Sequence, residues 1–172
     1  YFFRCKVDIN NSLFSGAKAD GIDFDFTSGH LKNSKVLNCG NDGLDLGGSS
    51  LHIKNTFVSN CGDKGISIGE ASERVLLDSV YLVSNEIGIS LKDASVLSLS
   101  RISFTKNKVD FVGYGKKAQY GHSVLAVSDL DFAKISYLIE PDVVLPVGEN
   151  VFRTKKVIDL MYGQKYGRKS IR

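Results

Sequence analysis

From Gly21 to Phe111 the apolar residues fall into short alternating runs that return at a fixed interval. Aligned on their glycines, the runs read GIDFDF at Gly21, GLDLGG at Gly43, GISIGE at Gly65 and GISLKD at Gly88, with a degraded fifth copy, VDFVGY, at Val109. The first three steps are 22, 22 and 23 residues. In each run two apolar residues flank a polar one, the period-two pattern of a half-buried strand. The inward pairs are predicted as Ile22/Phe24, Leu44/Leu46, Ile66/Ile68, Ile89/Leu91 and Val109/Phe111. Asp23, Asp45, Ser67, Ser90 and Asp110 are predicted to point outward.

A second pattern runs in phase. Asn11, Asn33, Asn55 and Asp78 recur at the same interval, with Arg101 in the next place. Three residues after each comes a large or branched apolar residue: Phe14, Val36, Val58, Tyr81, Phe104. Asp129 and Phe132 repeat the offset, which predicts a sixth unit. Ser28, Ser50, Ser72 and Ser95 form another column. Columns of this kind arise when a chain coils so that each turn lays its strands beside those of the next, about 4.8 Å away. The predicted fold is therefore all-β, a parallel solenoid of about 22-residue coils. The asparagines are expected inward at a bend, bonded from coil to coil. The L-x-x-L-x-L spacing of leucine-rich repeats is not met. No window supplies the ten or more residues at period 3.6 that repeated helices or βαβ units need.

After Tyr114 the pattern loosens. GYGKKAQYGHS reads as a glycine-rich loop, VLAVSDLDFAKISYLI resumes strand, and TKKVIDLMYGQ carries Val157, Leu160 and Met161 on one helical face. Residues 1–113 are read as coils. Residues 114–172 are read as loop, final coil and C-terminal cap of the same domain, since a solenoid end needs covering.

Composition alters this picture little. The chain has 172 residues, 42% hydrophobic, with no Trp and two Pro, enough for one domain with a sizeable core. No apolar run is long enough to span a membrane. The net charge of +3 is uneven. Acids exceed bases from Ala19 to Asp45, and the tail beyond Thr154 is basic, which reads as a solvated end rather than a nucleic-acid contact. The chain begins at Tyr1, mid-coil, and is expected to belong to a longer protein. Cys39 and Cys61 share the phrase NCG at equivalent places. They could pair, but buried thiols are the commoner outcome.

The carboxylates are the chemically suggestive group. Asp20 and Asp42 fall in one column and Asp23 and Asp45 in another, three residues on. Adjacent or alternate coils hold such side chains at the separations of a glycosidase pair. The competing readings are a solvated acidic stripe, or carboxylates satisfying turn amides as Asp before Gly commonly does. Calcium could be held by the same oxygens. Binding rather than cutting is expected, because stacked repeats should give every aspartate similar, water-open surroundings. Lys64, Glu70, Lys92 and Asp93 form a second cluster on neighbouring coils, in which Lys92 is expected to pair with Glu70. The predicted binding face is Asp20, Asp23, Asp42, Asp45, Glu70, Lys92 and Asp93, with Asp20, Asp42, Asp45 and Lys64 as the candidates should there be catalysis. His30 and His52 stack 22 residues apart, but no third ligand is evident and no metal centre is predicted.

Over roughly Val7–Gly113 these phrases resemble the right-handed parallel β-helix proteins of the pectate-lyase-like superfamily. That resemblance implies a right-handed single-stranded coil. Two closer echoes exist. In polygalacturonase-type glycoside hydrolases, "NTDG", an aspartate pair and "GHG" lie on successive coils. Here those places read KADG with Asp20, GNDG with Asp42, and GDKGISIG with Lys64 standing for the His. A longer, ordered echo is to β-helix modules accompanying spore-coat-H-like kinase domains. It rests on DGLDLGGS, GDKGISIGEAS, IGISLKDAS, the loop Lys116–Gly121 and the terminal YGxxYG of Tyr162–Gly167. It implies a non-enzymatic accessory module of unassigned role at a protein's carboxyl end. The function expected of it here is that of a secreted or cell-surface module that recognises a polysaccharide or scaffolds an attached domain. The polygalacturonase echo implies the alternative, a polysaccharide hydrolase or lyase working on the acidic face.

Overall fold

A computed structural model describes residues 1–145 and 151–162. Two parallel sheets wind around one core. The first contains Phe2–Phe3, Ile22–Asp25, Leu44–Gly47, Lys64–Gly69, Ile87–Lys92, Val109–Tyr114 and Tyr137–Ile139, stacked in chain order. The second contains Lys6–Asn10, Ser28–Lys32, Ser50–Ser59, Val75–Val83, Val96–Thr105 and Val124–Val127, with Leu13–Ser15 and Lys35–Leu37 extending its early coils. The expected solenoid is present, about six turns of roughly 22 residues.

The core is a set of ladders. Ile22, Leu44, Ile66 and Ile89 are register partners in succession, and each is at most 2% exposed. Opposite them stand Leu31, Ile53 and Leu77, all fully buried. Gly43 opens its strand where the wall bends inward. A Cβ there would stand 2.6 Å from the carbonyl oxygen of Gly65, so glycine is the residue that lets successive coils approach.

Several columns lie one or two places from where the sequence pattern put them. In the fifth copy Ile89 pairs with Phe111 and Ser90 with Val112. Phe111 is thus the successor of Ile22, Val109 stands outward, and Val112 rather than Asp110 continues the outward column. The stacked hydroxyls are Thr27, Ser49, Ser72 and Ser95, not Ser28 and Ser50. Thr27 N donates to Ser49 Oγ (2.9 Å), Ser49 N to Ser72 Oγ (3.0 Å) and Ser72 N to Ser95 Oγ (3.2 Å). A buried hydroxyl suits this place because it accepts an amide that a bend would otherwise leave unpaired.

The asparagine column is external. Asn33 Nδ2 donates to Asn10 Oδ1 (2.9 Å) and Asn55 Nδ2 to Asn33 Oδ1 (2.7 Å), so the coil-to-coil bonding is present on the exposed side. Asn11, Asn33 and Asn55 have φ near +50°, a left-handed bulge that asparagine tolerates well. Its successors are Ser79 (φ 56°) and Arg101 (φ 52°). Asp78 sits one place earlier, beside Lys54. Asn33→Leu is therefore expected to destabilise by about 1–2 kcal/mol, since leucine resists that φ and drops the amide pair. Asn33→Gly should cost less. Denaturant midpoints of the two variants decide it, and equal losses would show that only the side-chain bond matters.

The true internal amides are Asn85 and Asn107, which stand above Cys39 and Cys61. Asn85 Oδ1 accepts from Cys61 N (3.1 Å), and Asn107 Oδ1 accepts from Asn85 N (3.0 Å). Both thiols are free and buried, and burial pushes Cys61 up to about 12. They are small core residues, as the sequence favoured.

Candidate functional site

The outer face of the first sheet is a grid of three columns. Asp20, Asp42, Lys64, Ile87 and Val109 make one. Asp23, Asp45, Ser67, Ser90 and Val112 make the next. The third begins with Asp25, Gly47 and Gly69 and ends with Lys92 and Tyr114. Read along the solenoid, the face is acidic on the first two coils, cationic on the middle ones and apolar on the last. The apolar end is covered by the terminal helix Val157–Met161, whose Val157 and Met161 pack on Ile87, Val109, Val112 and Tyr114. Of the terminal YGxxYG phrase, only Tyr162 falls within the described residues. Its hydroxyl lies 3.1 Å from that of Tyr114.

Asp20 and Asp42 clasp one coil to the next. Asp20 Oδ1 accepts from Asp42 N (2.9 Å) and Asn41 Nδ2 (2.7 Å), and Asp42 Oδ1 accepts from Lys64 N (3.0 Å). This is the turn-amide reading of Asp before Gly. The expectation that all the aspartates share open surroundings is corrected: Asp42 is 4% exposed, while Asp23 and Asp45 are half-buried. The difference comes from what lies above each, a lysine over Asp42 and a serine over Asp45.

Lys64, 5% exposed, places its ammonium 2.5 Å from Asp63 Oδ2 and 3.5 Å from Asp42 Oδ1. Burial alone would lower its pKa, but the two carboxylates outweigh burial and hold it above the ordinary lysine range. Two carboxylates around one ammonium leave an excess negative charge out of water. Burial accordingly pushes Asp42 upward despite the pull of Lys64. Asp23 is also pushed up to about 6, by burial first and then by Asp25, Asp45 and Asp20.

Lys92 does not meet Glu70. Its chain runs over Gly69, where a Cβ would stand 2.8 Å from Lys92 Cε, and its Nζ donates to Ser67 Oγ at 2.5 Å. Glu70 instead pairs with Lys117, and Asp93 Oδ1 accepts from the backbone amides of Lys116 and Lys117, both at 2.8 Å. Glu70 and Asp93 thus pin the glycine-rich loop rather than line an open face. Sequence reasoning missed Asp63, Tyr114 and Tyr162. A lysine in the column that elsewhere carries Asp20 and Asp42 was the signal for Asp63, because a buried ammonium needs counter-charge. Nothing local marks the tyrosines, which meet across 48 residues.

His30 and His52 stack on the second sheet with ring centroids 5.9 Å apart, and burial lowers the pKa of His52. Among the described residues no group of three or more His, Cys, Asp or Glu is placed to hold a metal ion. No helix among them is long and apolar enough to cross a membrane.

A family model described as the right-handed β-helix region matches residues 3–135. The chain belongs to the right-handed β-helix family. No curated protein and no solved structure matches it. The arrangement of this β-helix can do two things chemically. Its buried Asp42 carries a raised pKa beside the Lys64 ammonium, and its first two coils offer Asp23 and Asp45 as half-buried acceptors.

Proposed function

We propose that this β-helix is a non-catalytic module, secreted or at a cell surface and part of a longer chain, that recognises a glycan or scaffolds an attached domain. The observation that carries the reading is the use made of Asp20 and Asp42. The two carboxylates that a hydrolase would need free are bonded to backbone amides of the next coil, and the lysines beside them are at most 8% exposed. The resemblance to modules accompanying spore-coat-H-like kinase domains supports the same reading. An exposed repetitive surface suits an extended polymer, because each coil presents the next equivalent contact about 4.8 Å on.

One observation favours the alternative, a polysaccharide hydrolase or lyase. Asp42 Oδ1 lies 3.5 Å from the Lys64 ammonium in a buried setting that raises the carboxyl's pKa. A carboxyl raised toward the working pH beside a fixed cation is what a general acid or base requires. The test is incubation with polygalacturonate, alginate and neutral glycans. Retention in affinity electrophoresis without new reducing ends or ultraviolet-absorbing unsaturated products is expected. Turnover that disappears in Asp42→Asn would overturn the non-catalytic reading, and absence of any retention would leave only the scaffolding half of it.

A further inference from the structure

Away from the acidic face, a groove of about 470 Å³ runs along the outer side of the second sheet. One of its columns reads Leu13, Lys35, Phe57, Tyr81 and Ser103 by successive register. Tyr81 is 46% exposed, and Leu37 completes an apolar floor beside the two rings. The wall is the asparagine ladder. Within it Asn33 spends one N–H and one lone pair along the solenoid axis, and Asn55 spends an N–H. An amide has two of each, so the ladder presents donors and acceptors sideways, at one-coil intervals, over an aromatic floor.

Charge separates the two faces. On the first sheet's outer surface the half-buried charges are Asp20, Asp23, Asp25 and Asp45, with Asp42, Lys64 and Lys92 buried among them, whereas the groove is flanked by Lys32, Lys35, Lys54 and Arg101. Lys32 faces Asp8 at 3.7 Å, and Lys54 and Arg101 both face Asp78. Lys35, which lines the groove, has no carboxylate partner among the described residues. An anion is therefore drawn to this side and repelled from the other.

We propose that the groove holds an acidic glycan chain. The apolar C–H face of a sugar would pack on Phe57 and Tyr81, its hydroxyls would bond the Asn33 and Asn55 amides, and its carboxylate or sulfate would meet Lys35. This rests on the glycan-recognition reading above and moves its contact surface from the first sheet to the second. A single unpaired lysine beside a hydroxyl-matching ladder suits one charge per sugar unit better than the phosphate density of a nucleic acid.

The experiment is affinity electrophoresis of the whole chain in gels holding alginate (carboxylated), heparin (carboxylated and sulfated) or dextran (neutral), with single-stranded DNA as a further arm. Retention by alginate or heparin, and less by dextran, is expected. It should weaken about tenfold in Tyr81→Ala and in Tyr81→Gln, lose its salt sensitivity in Lys35→Ala, and survive Asp45→Asn. The altered side chains are at the surface, and circular dichroism checks each fold. Acidic-glycan retention that ignores Tyr81 and Lys35 overturns the groove while leaving glycan recognition standing. Retention by DNA alone, or by no glycan, overturns both.

Discussion

Ile66→Asp is expected to abolish the folded state, read as loss of the cooperative thermal transition and of protection from protease. Ile66 is fully buried between Leu44 and Ile89 in the central coil. A carboxylate there has no partner and must either stay charged out of water or take up a proton, and both cost several kcal/mol. In a repeat fold each coil supports only its neighbours, so a lesion in the middle unpairs both halves. The same change at an end should be milder. Val7→Asp, in the end strand Lys6–Asn10 that pairs only with Ser28–Lys32, removes support from one side only. If Ile66→Asp still melts cooperatively, the coils are more independent than their continuous ladders imply.

That prediction was available from sequence, because Ile22, Leu44, Ile66 and Ile89 are spaced by the coil itself. The fold was legible wherever one coil copies another. It became misleading where the copy changes chemistry without changing shape. Cys39 and Cys61 look like a pair, yet the next two coils put Asn85 and Asn107 in the same internal place. There the side-chain amides accept from the backbone of the preceding coil, whereas each thiol donates to a carbonyl two residues back in its own coil. The asparagines that do repeat visibly stand outside, because their repetition reflects a left-handed backbone rather than a buried amide. Asp78 was placed in that column by counting, whereas extra residues in the turn between Gly69 and Val75 advance the register, so that Leu76 already faces His52 and the position falls to Ser79.

The candidate face was half legible. The columns of Asp20 and Asp42 and of Asp23 and Asp45 followed from the repeat. The burial of Asp42 did not, since it depends on Lys64 and Lys92 standing where the earlier coils carry Asp or Gly, and a repeat does not announce a change of chemistry at one of its positions. Glu70 and Asp93 were grouped correctly on neighbouring coils. Their partners, Lys117 and the amides of Lys116 and Lys117, come from a loop that interrupts the coil, and a period cannot locate what breaks it.

Lys64→Met is expected to cost about 3–5 kcal/mol, although methionine matches the lysine stem and is the more hydrophobic residue. The loss comes from what remains, Asp42 and Asp63 buried without counter-charge. Double replacement of Lys64 by Met and Asp42 by Asn should recover part of it, because one of the two stranded charges is then gone. The pH dependence distinguishes this cause from a packing defect. In the native protein Asp42 and Asp23 have folded pKa values raised above those of the unfolded chain. Each stabilises fully below the ordinary aspartate range near 4 and loses that contribution as pH rises toward about 6. The melting temperature should therefore rise when pH is lowered from 7 to 5. Without Lys64, which pulls the pKa of Asp42 down, Asp42 holds its proton still more firmly, so the rise should steepen and extend to higher pH. A Lys64→Met variant with the same pH profile as the native chain, merely shifted down, would mean that the ammonium is not what keeps Asp42 ionised in the wall.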